Sequence, residues 1–402
     1  MRTAHGANSR HRLPVSLAIA LLVLTALRTP ATAAEPYEIY AVLPITGGAA
    51  FLGKQEVEAI KLFEATVNQA GGIKGRQLKV VIEDDQTNPQ IAVQLMNRAL
   101  TKHPAIVLDG GPATTCRATA PLIANGPLEY CLTPSIHPAP GSFQFSAMYS
   151  SDDILGVSMR YLRERGLKKV AVLNGTDASG QDADQILQRL IKLPEYTNAG
   201  VAFVAYEHYG LSDLSVSAQL SRIKAAGAQA MIAFTTGTAI ATVLHGIQDV
   251  GLDIPLVTSP GNMSYAQMES YKAFMPKELL FAGPPALVPE QITDPDVKRA
   301  VASFTAAFKA AGGQRPDLLA AVAWDPMGLL VAALQKRGID ATPAQLRAEL
   351  SANRDAAGVL GRYNFVAVPQ RGVSSNWVIM ERWDPDKASW IAVSKPGGSI
   401  AK

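Results

Sequence analysis

Two stretches hold side chains whose type and spacing could make a binding or reacting site. The first, Gly110-Gly111-Pro112-Ala113-Thr114-Thr115-Cys116, closes an apolar run at 105–109. The second is Thr133-Pro134-Ser135-Ile136-His137, which follows the run LEYCL. Bare backbone and hydroxyls at such ends suit a phosphate, a nucleophile or a small anion. A phosphate loop places Lys after its second glycine, and GGPATTCRA contains no Lys. The sequence also lacks G-x-G-x-x-G, G-x-S-x-G, H-E-x-x-H and C-x-x-C, which removes the common nucleotide, hydrolase, zinc-protease and redox signatures. His103, His137, His208 and His245 stand at no metal-ligand spacing from one another.

What remains is an anion held by hydroxyls and backbone N–H groups at the start of a helix, where unpaired donors and partial positive charge favour a carboxylate. Thr114 and Thr115 stand where such donors belong. A plainer role is equally open for Thr114, as the N-cap of its helix, worth about 1 kcal/mol. The stretch 133–137 offers a second polar group on the same carboxyl edge, if both runs are strands of one parallel sheet.

The flanking pattern supports that sheet. From Tyr37, YEIYAVLP precedes a helical stripe of Val57, Ile60, Phe63 and Val67 that ends at Gly71-Gly72. QLKVVIED then leads to a helix opened by Asn88-Pro89, and AIVLD to one from about Thr114, before LEYCLT. A second series follows Ser150: a helix to about Arg165, KKVAVLN, a helix from about Asp182, VAFVAYEHY, a helix over 215–226, AQAMIAF, a helix from Thr238, IPLVT and LLFAG. Helices are expected near 296–311, 317–335 and 343–351, and NWVIMERW and SWIAV around Asp384-Pro385-Asp386-Lys387 read as a hairpin. Alternation of this kind predicts two parallel sheets, each covered by helices.

Residues 1–34 read as a secretory leader: Arg2, Arg10 and Arg12 precede an apolar run at 17–27 and then small residues. No later stretch presents the roughly 18 to 20 apolar residues of a spanning helix. No cysteine lies near the cleavage point, so a free periplasmic protein is expected. Taking the leader's four arginines from the 37 basic residues leaves 33 against 34 acidic ones, which gives no reason to expect nucleic acid as partner. In an oxidising compartment Cys116 and Cys131 either join in a disulfide or pack as two small buried thiols.

These stretches resemble the leucine-binding-protein-like, type I solute-binding proteins of ABC importers. The similarity runs through most of the mature chain, in AVLPITGGAAFLGKQ, NQAGGIKGRQLKVVIEDDQTNPQ, GGPATTC, CLTPSIHP and LHGIQDVGLDIPLVTS. It implies a two-lobed clamshell with three hinge crossovers, a first lobe of 35–148 with 284–364 and a second of 149–283 with 365–402. It also implies a carboxylate site at Thr114 with Pro112 and Ala113, joined by Ser135 and His137, and a loop with Phe51 and Leu52 covering one side. Matching second-lobe positions fall near Ser179, Gly237 or Thr238, and Ser259 to Asn262. Amino-acid binders of the family usually carry an acid in the last of these loops, to pair the ligand ammonium. Thr258-Ser259-Pro260-Gly261-Asn262 has none. Unless Asp177 or Glu207 reaches in, the simpler expectation is a hydrophobic or aromatic acid without an amine.

The expectation is therefore a monomeric binding protein, not an enzyme, needing no cofactor or metal and handing its ligand to membrane permease subunits. A periplasmic sensor on the same fold and an exported α/β hydrolase are the alternatives.

Overall fold

Short apolar runs form a wholly parallel first sheet because both of its faces are covered by helices. Its strands β1 (Tyr37–Leu43), β2 (Leu78–Asp84), β3 (Ile106–Asp109), β4 (Leu128–Cys131) and β5 (Gln144–Ser146) run in the order β2-β1-β3-β4-β5. The computed structural model describes residues 1–6, 35–312 and 315–400. The expected leader, beyond its first six residues, lies outside them.

The second sheet holds β6 (Lys169–Gly175), β7 (Ala202–Tyr209), β8 (Ala230–Ala233), β9 (Leu256–Thr258) and β10 (Leu279–Gly283), all parallel. After a small ribbon of β11 (Ala356–Ala357) and β12 (Arg362–Tyr363), the hairpin β13 (Ile379–Asp384) and β14 (Ser389–Ala392) adds antiparallel to β10. The full order is β14-β13-β10-β9-β8-β6-β7.

Between the sheets the chain passes three times, after Ser146, after Gly283 and before Ile379. The late helix Leu318–Arg337 returns to pack along helix Ala50–Gln69, and helix Pro343–Ala352 packs against β4. The crossings are tied together. Tyr149 Oη donates to the carbonyls of Leu360 and Trp377, and the buried Arg371 donates to those of Met148 (3.0 Å), Pro134 (3.3 Å) and Ile136 (2.7 Å).

Some features departed from the sequence pattern. β5 is only three residues long, too short for periodicity to register. The helix expected from Asp182 starts at Ala178, because the Asp177 side chain accepts from the N–H groups of Ser179 and Gly180 and so caps it earlier. Helix Tyr265–Tyr271 follows β9 unannounced. Helix Leu318–Arg337 is, contrary to expectation, long and apolar enough to cross a membrane by composition. Its most apolar window is 78% buried, which marks the central helix of a folded lobe.

Candidate functional site

Parallel strands end on one edge, and here the two carboxyl edges face each other across a cleft. Gly111 follows β3, Thr133 and Ser135 follow β4, Ser179 opens the helix after β6, and Thr236 and Ser259 follow β8 and β9. Leu52, Leu132, Met148, Leu318, Leu319 and Val322 supply an apolar wall from the first lobe. In this shut form the cleft leaves about 20 Å³ of free volume, room for little more than a water molecule.

Backbone and side-chain bonds fix the loops that line it. Asp84, at the end of β2, accepts from Ile45 N (3.0 Å), Thr46 N (3.1 Å) and Thr46 Oγ1 (2.7 Å). Thr87 Oγ1 donates to Thr46 O and accepts from Ala49 N, so the DDQTN segment clasps the loop before helix Ala50–Gln69. Asn88 caps helix Pro89–Leu100, as its place before a proline suggested. Behind the first edge, Cys116 and Cys131 form a disulfide with Cα atoms 6.1 Å apart. Asp109 lies within 4.8 Å of both sulfurs, but these are joined to each other and do not form a metal-ligand set with it.

The two edges touch. Thr238 N donates to Gly48 O at 3.3 Å, and Gly237 has φ +72° with no room for a side chain: a Cβ there would meet Gly48 O at 2.4 Å. His137 Nε2 lies 2.7 Å from Asp182 Oδ1, and the Arg315 guanidinium stacks 4.5 Å from the Tyr265 ring centroid. This is a shut clamshell.

The residues singled out from sequence are spread over this region in distinct settings. Ser135 and Ser179 line the cleft. Pro112 caps the short helix Ala113–Thr119 with Ala113 buried behind it, and Thr114 sits in its first turn, half-buried. Pro112, not Thr114, occupies the N-cap, so the Thr114 hydroxyl is not committed to capping. Phe51 lines a neighbouring groove with Ser264 and Ala266, while its neighbour Leu52 reaches the cleft. His137 is engaged with Asp182 at the rim, and Thr238 meets Gly48. Asn262 is buried, its Nδ2 donating to Thr235 O (2.7 Å) and Thr258 Oγ1 (3.2 Å).

Glu56 lines the cleft from helix Ala50–Gln69 and was not anticipated. It lies four residues after Leu52 and four before Ile60, and this acid within a buried stripe was the available signal. Burial pushes its carboxyl well above the usual range, and the neighbouring Asp85 and Asp109 add to that. Asp85 is itself raised to about 6 by burial. Glu207, considered from sequence as a cleft acid, instead lies on β7 paired with Arg222. Asp177 is spent on its helix cap.

The profile of the periplasmic binding protein family matches residues 36–388, and the chain belongs to that family, whose members bind solutes rather than transform them. An amino acid binding protein of Pseudomonas aeruginosa is 30% identical over 193 residues, 46% of this chain and 50% of its own length, so the match spans half of that relative. The leucine-, isoleucine-, valine-, threonine-, and alanine-binding protein of the same organism is 23% identical over 345 residues, 84% of this chain and 88% of its own. A solute-binding protein of an ABC transporter from R. palustris, solved in complex with benzoate, superposes with a TM-score of 0.76 at 17% identity, covering 91% of this chain and 97% of that one. At that identity the likeness concerns the fold.

Proposed function

We propose that this chain is the substrate-binding component of an ABC importer, which captures a small carboxylate with an apolar body between its lobes and delivers it to the permease. The observation that carries this is the cleft itself: hydroxyls from both sheet edges face an apolar wall, in a chain of the periplasmic binding protein family. Thr114 and the N–H groups beside it are the proposed first-lobe carboxylate donors, with Ser135, and Ser179 adds from the second lobe on closure. Residues 35–148 with 284–364 form the proposed first lobe, and 149–283 with 365–402 the second. A leader at 1–34 would export the chain. Relatives named for aliphatic amino acids and a structural neighbour holding benzoate are consistent with a hydrophobic carboxylate as the ligand class.

Closure supplies the mechanism. The open form presents only first-lobe groups, and the ligand shifts the balance by the contacts it gains in the shut form. The permease reads the shut shape. Binding is tested by thermal unfolding with hydrophobic carboxylates, where a ligand at a hundred times its dissociation constant adds about 2.7 kcal/mol. Thr114→Ala is expected to weaken binding far more than it lowers stability. In cells, deletion of the gene should abolish high-affinity uptake of the ligand found; unchanged uptake would favour a sensor over a transporter.

A further inference from the structure

Among the described residues Glu56 is the one titratable side chain that lines the cleft, and one of its two oxygens has no partner. Glu56 is 1% exposed, and its Oε2 meets no hydrogen-bond donor. The carboxyl does receive the Gly111 N–H. Bare backbone at the end of β3 admits it: a Cβ on Gly111 would come within 2.9 Å of Glu56 Oε1, and one on Gly110 within 3.3 Å of Oε2. Among the described residues no Arg, Lys or His lines the cleft. The charges that act on Glu56 belong to acids, Asp85 after β2 and Asp109 at the end of β3, each buried with one unpartnered oxygen.

A buried carboxyl in an acidic, base-free neighbourhood has two stable conditions. It keeps its proton, or a cation comes to it. We propose that the cation is the ammonium group of the ligand, so that Glu56 selects amino acids over the same acids lacking the amine. This rests on the carboxylate-binding reading above. The loop 258–262, where an acid was sought, has none, while Glu207 and Asp177 are engaged elsewhere. Glu56 supplies the missing charge from the opposite lobe. The ligand carboxylate then faces the hydroxyls of Ser135 and Ser179, and its side chain the wall of Leu132, Leu318 and Val322.

The proposal includes a proton balance. In the empty cleft burial and the neighbouring Asp85 and Asp109 favour the protonated form of Glu56, against the single N–H of Gly111. An arriving ammonium favours the ionised carboxylate, so the pair forms as the Glu56 proton leaves for solvent. The facing second-lobe groups, Ser179, Thr236 and Ser259, do not titrate in this range, and helix Leu318–Arg337 presents only Leu318, Leu319 and Val322 here.

Calorimetry with matched pairs tests this: L-leucine against 4-methylpentanoate, and L-phenylalanine against 3-phenylpropanoate, each in two buffers of different ionisation enthalpy at pH 7. The expected result is that the wild type binds one of the amino acids at least about tenfold tighter than its amine-free twin, releasing about one proton. Glu56→Gln should lose that preference. Equal or tighter binding of the amine-free acid by the wild type overturns the inference and leaves the carboxylate reading standing. An undiminished preference in Glu56→Gln also overturns it. Binding of neither member of either pair overturns both readings. The wild-type comparison decides the matter even where the variant folds poorly.

Discussion

His137 Nε2 and Asp182 Oδ1 meet at 2.7 Å, joining the loop after β4 to the helix after β6 across the mouth of the cleft. Asp182 is only 5% exposed in its side chain, and Arg117 approaches the same oxygen at 4.0 Å. The contact exists only while the lobes are together, so it contributes to the shut form and not to either lobe alone. Half-exposed pairs of this kind contribute up to about 1 kcal/mol. His137→Ala is therefore expected to weaken ligand binding by up to about fivefold, mainly through faster release, with the unfolding midpoint of the empty protein nearly unchanged. Stopped-flow dissociation measures it. An unaltered release rate would remove the pair from the closure mechanism.

The disulfide acts on the other side of the same edge. Cys116 lies in helix Ala113–Thr119 and Cys131 ends β4, so the bond fixes the loop at 110–113 relative to the loop at 132–135. It spans 15 residues, for which the chain-entropy account gives about 3 kcal/mol. Replacing both cysteines by alanine should lower the urea midpoint by an amount of that order, and reductant should do the same to the wild type but not to the variant. Ligand affinity should fall as well, since the proposed carboxylate donors sit on the tethered helix. A variant as stable as the wild type would show that the bond contributes nothing.

Most of the fold was legible because its strands are short, apolar and parallel, and because glycines and capping residues mark the helix ends. Asn88-Pro89 and Gly71-Gly72 did so within a residue or two. The site was legible only by edge. Ser135 and Ser179 could be placed near the cleft because strand ends face it, but the facing of the lobes decided the rest, and no local pattern encodes that. Thus Phe51 lines a side groove while the adjacent Leu52 enters the cleft, and Thr238 meets backbone across the gap. Glu56 escaped notice because an acid on a helix usually faces water, and its burial follows from Gly110 and Gly111, 54 and 55 residues further along the chain.

A last expectation concerns pH. Asp109 and Glu129 lie side by side beneath the cleft, fully buried, with Thr119 Oγ1 donating to Asp109 Oδ2 (2.6 Å) and Gln144 Nε2 to Glu129 Oε2 (2.7 Å). Burial raises both, to about 7 and about 8, and like charges add to it, Asp85 on Asp109 and Asp109 on Glu129. In the unfolded chain such groups titrate near 4. The folded state therefore holds protons that the unfolded state has lost, and stability falls as pH rises from about 4 to about 8. Each such group contributes a slope of up to about 1.4 kcal/mol per pH unit within its window. Asp317, raised by burial to about 7, acts in the same direction. Asp294 acts oppositely: its Arg362 partner lowers it to about 2, so its contribution is present above pH 4 and lost only as pH falls towards 2. The two windows do not overlap, and between pH 5 and 8 the buried acids pull stability down as pH rises. The unfolding midpoint should fall by several degrees over that range, and Glu129→Gln should flatten the slope and raise the midpoint at pH 8. A midpoint that climbs towards pH 8 in the wild type would mean that the pair is ionised in the folded protein.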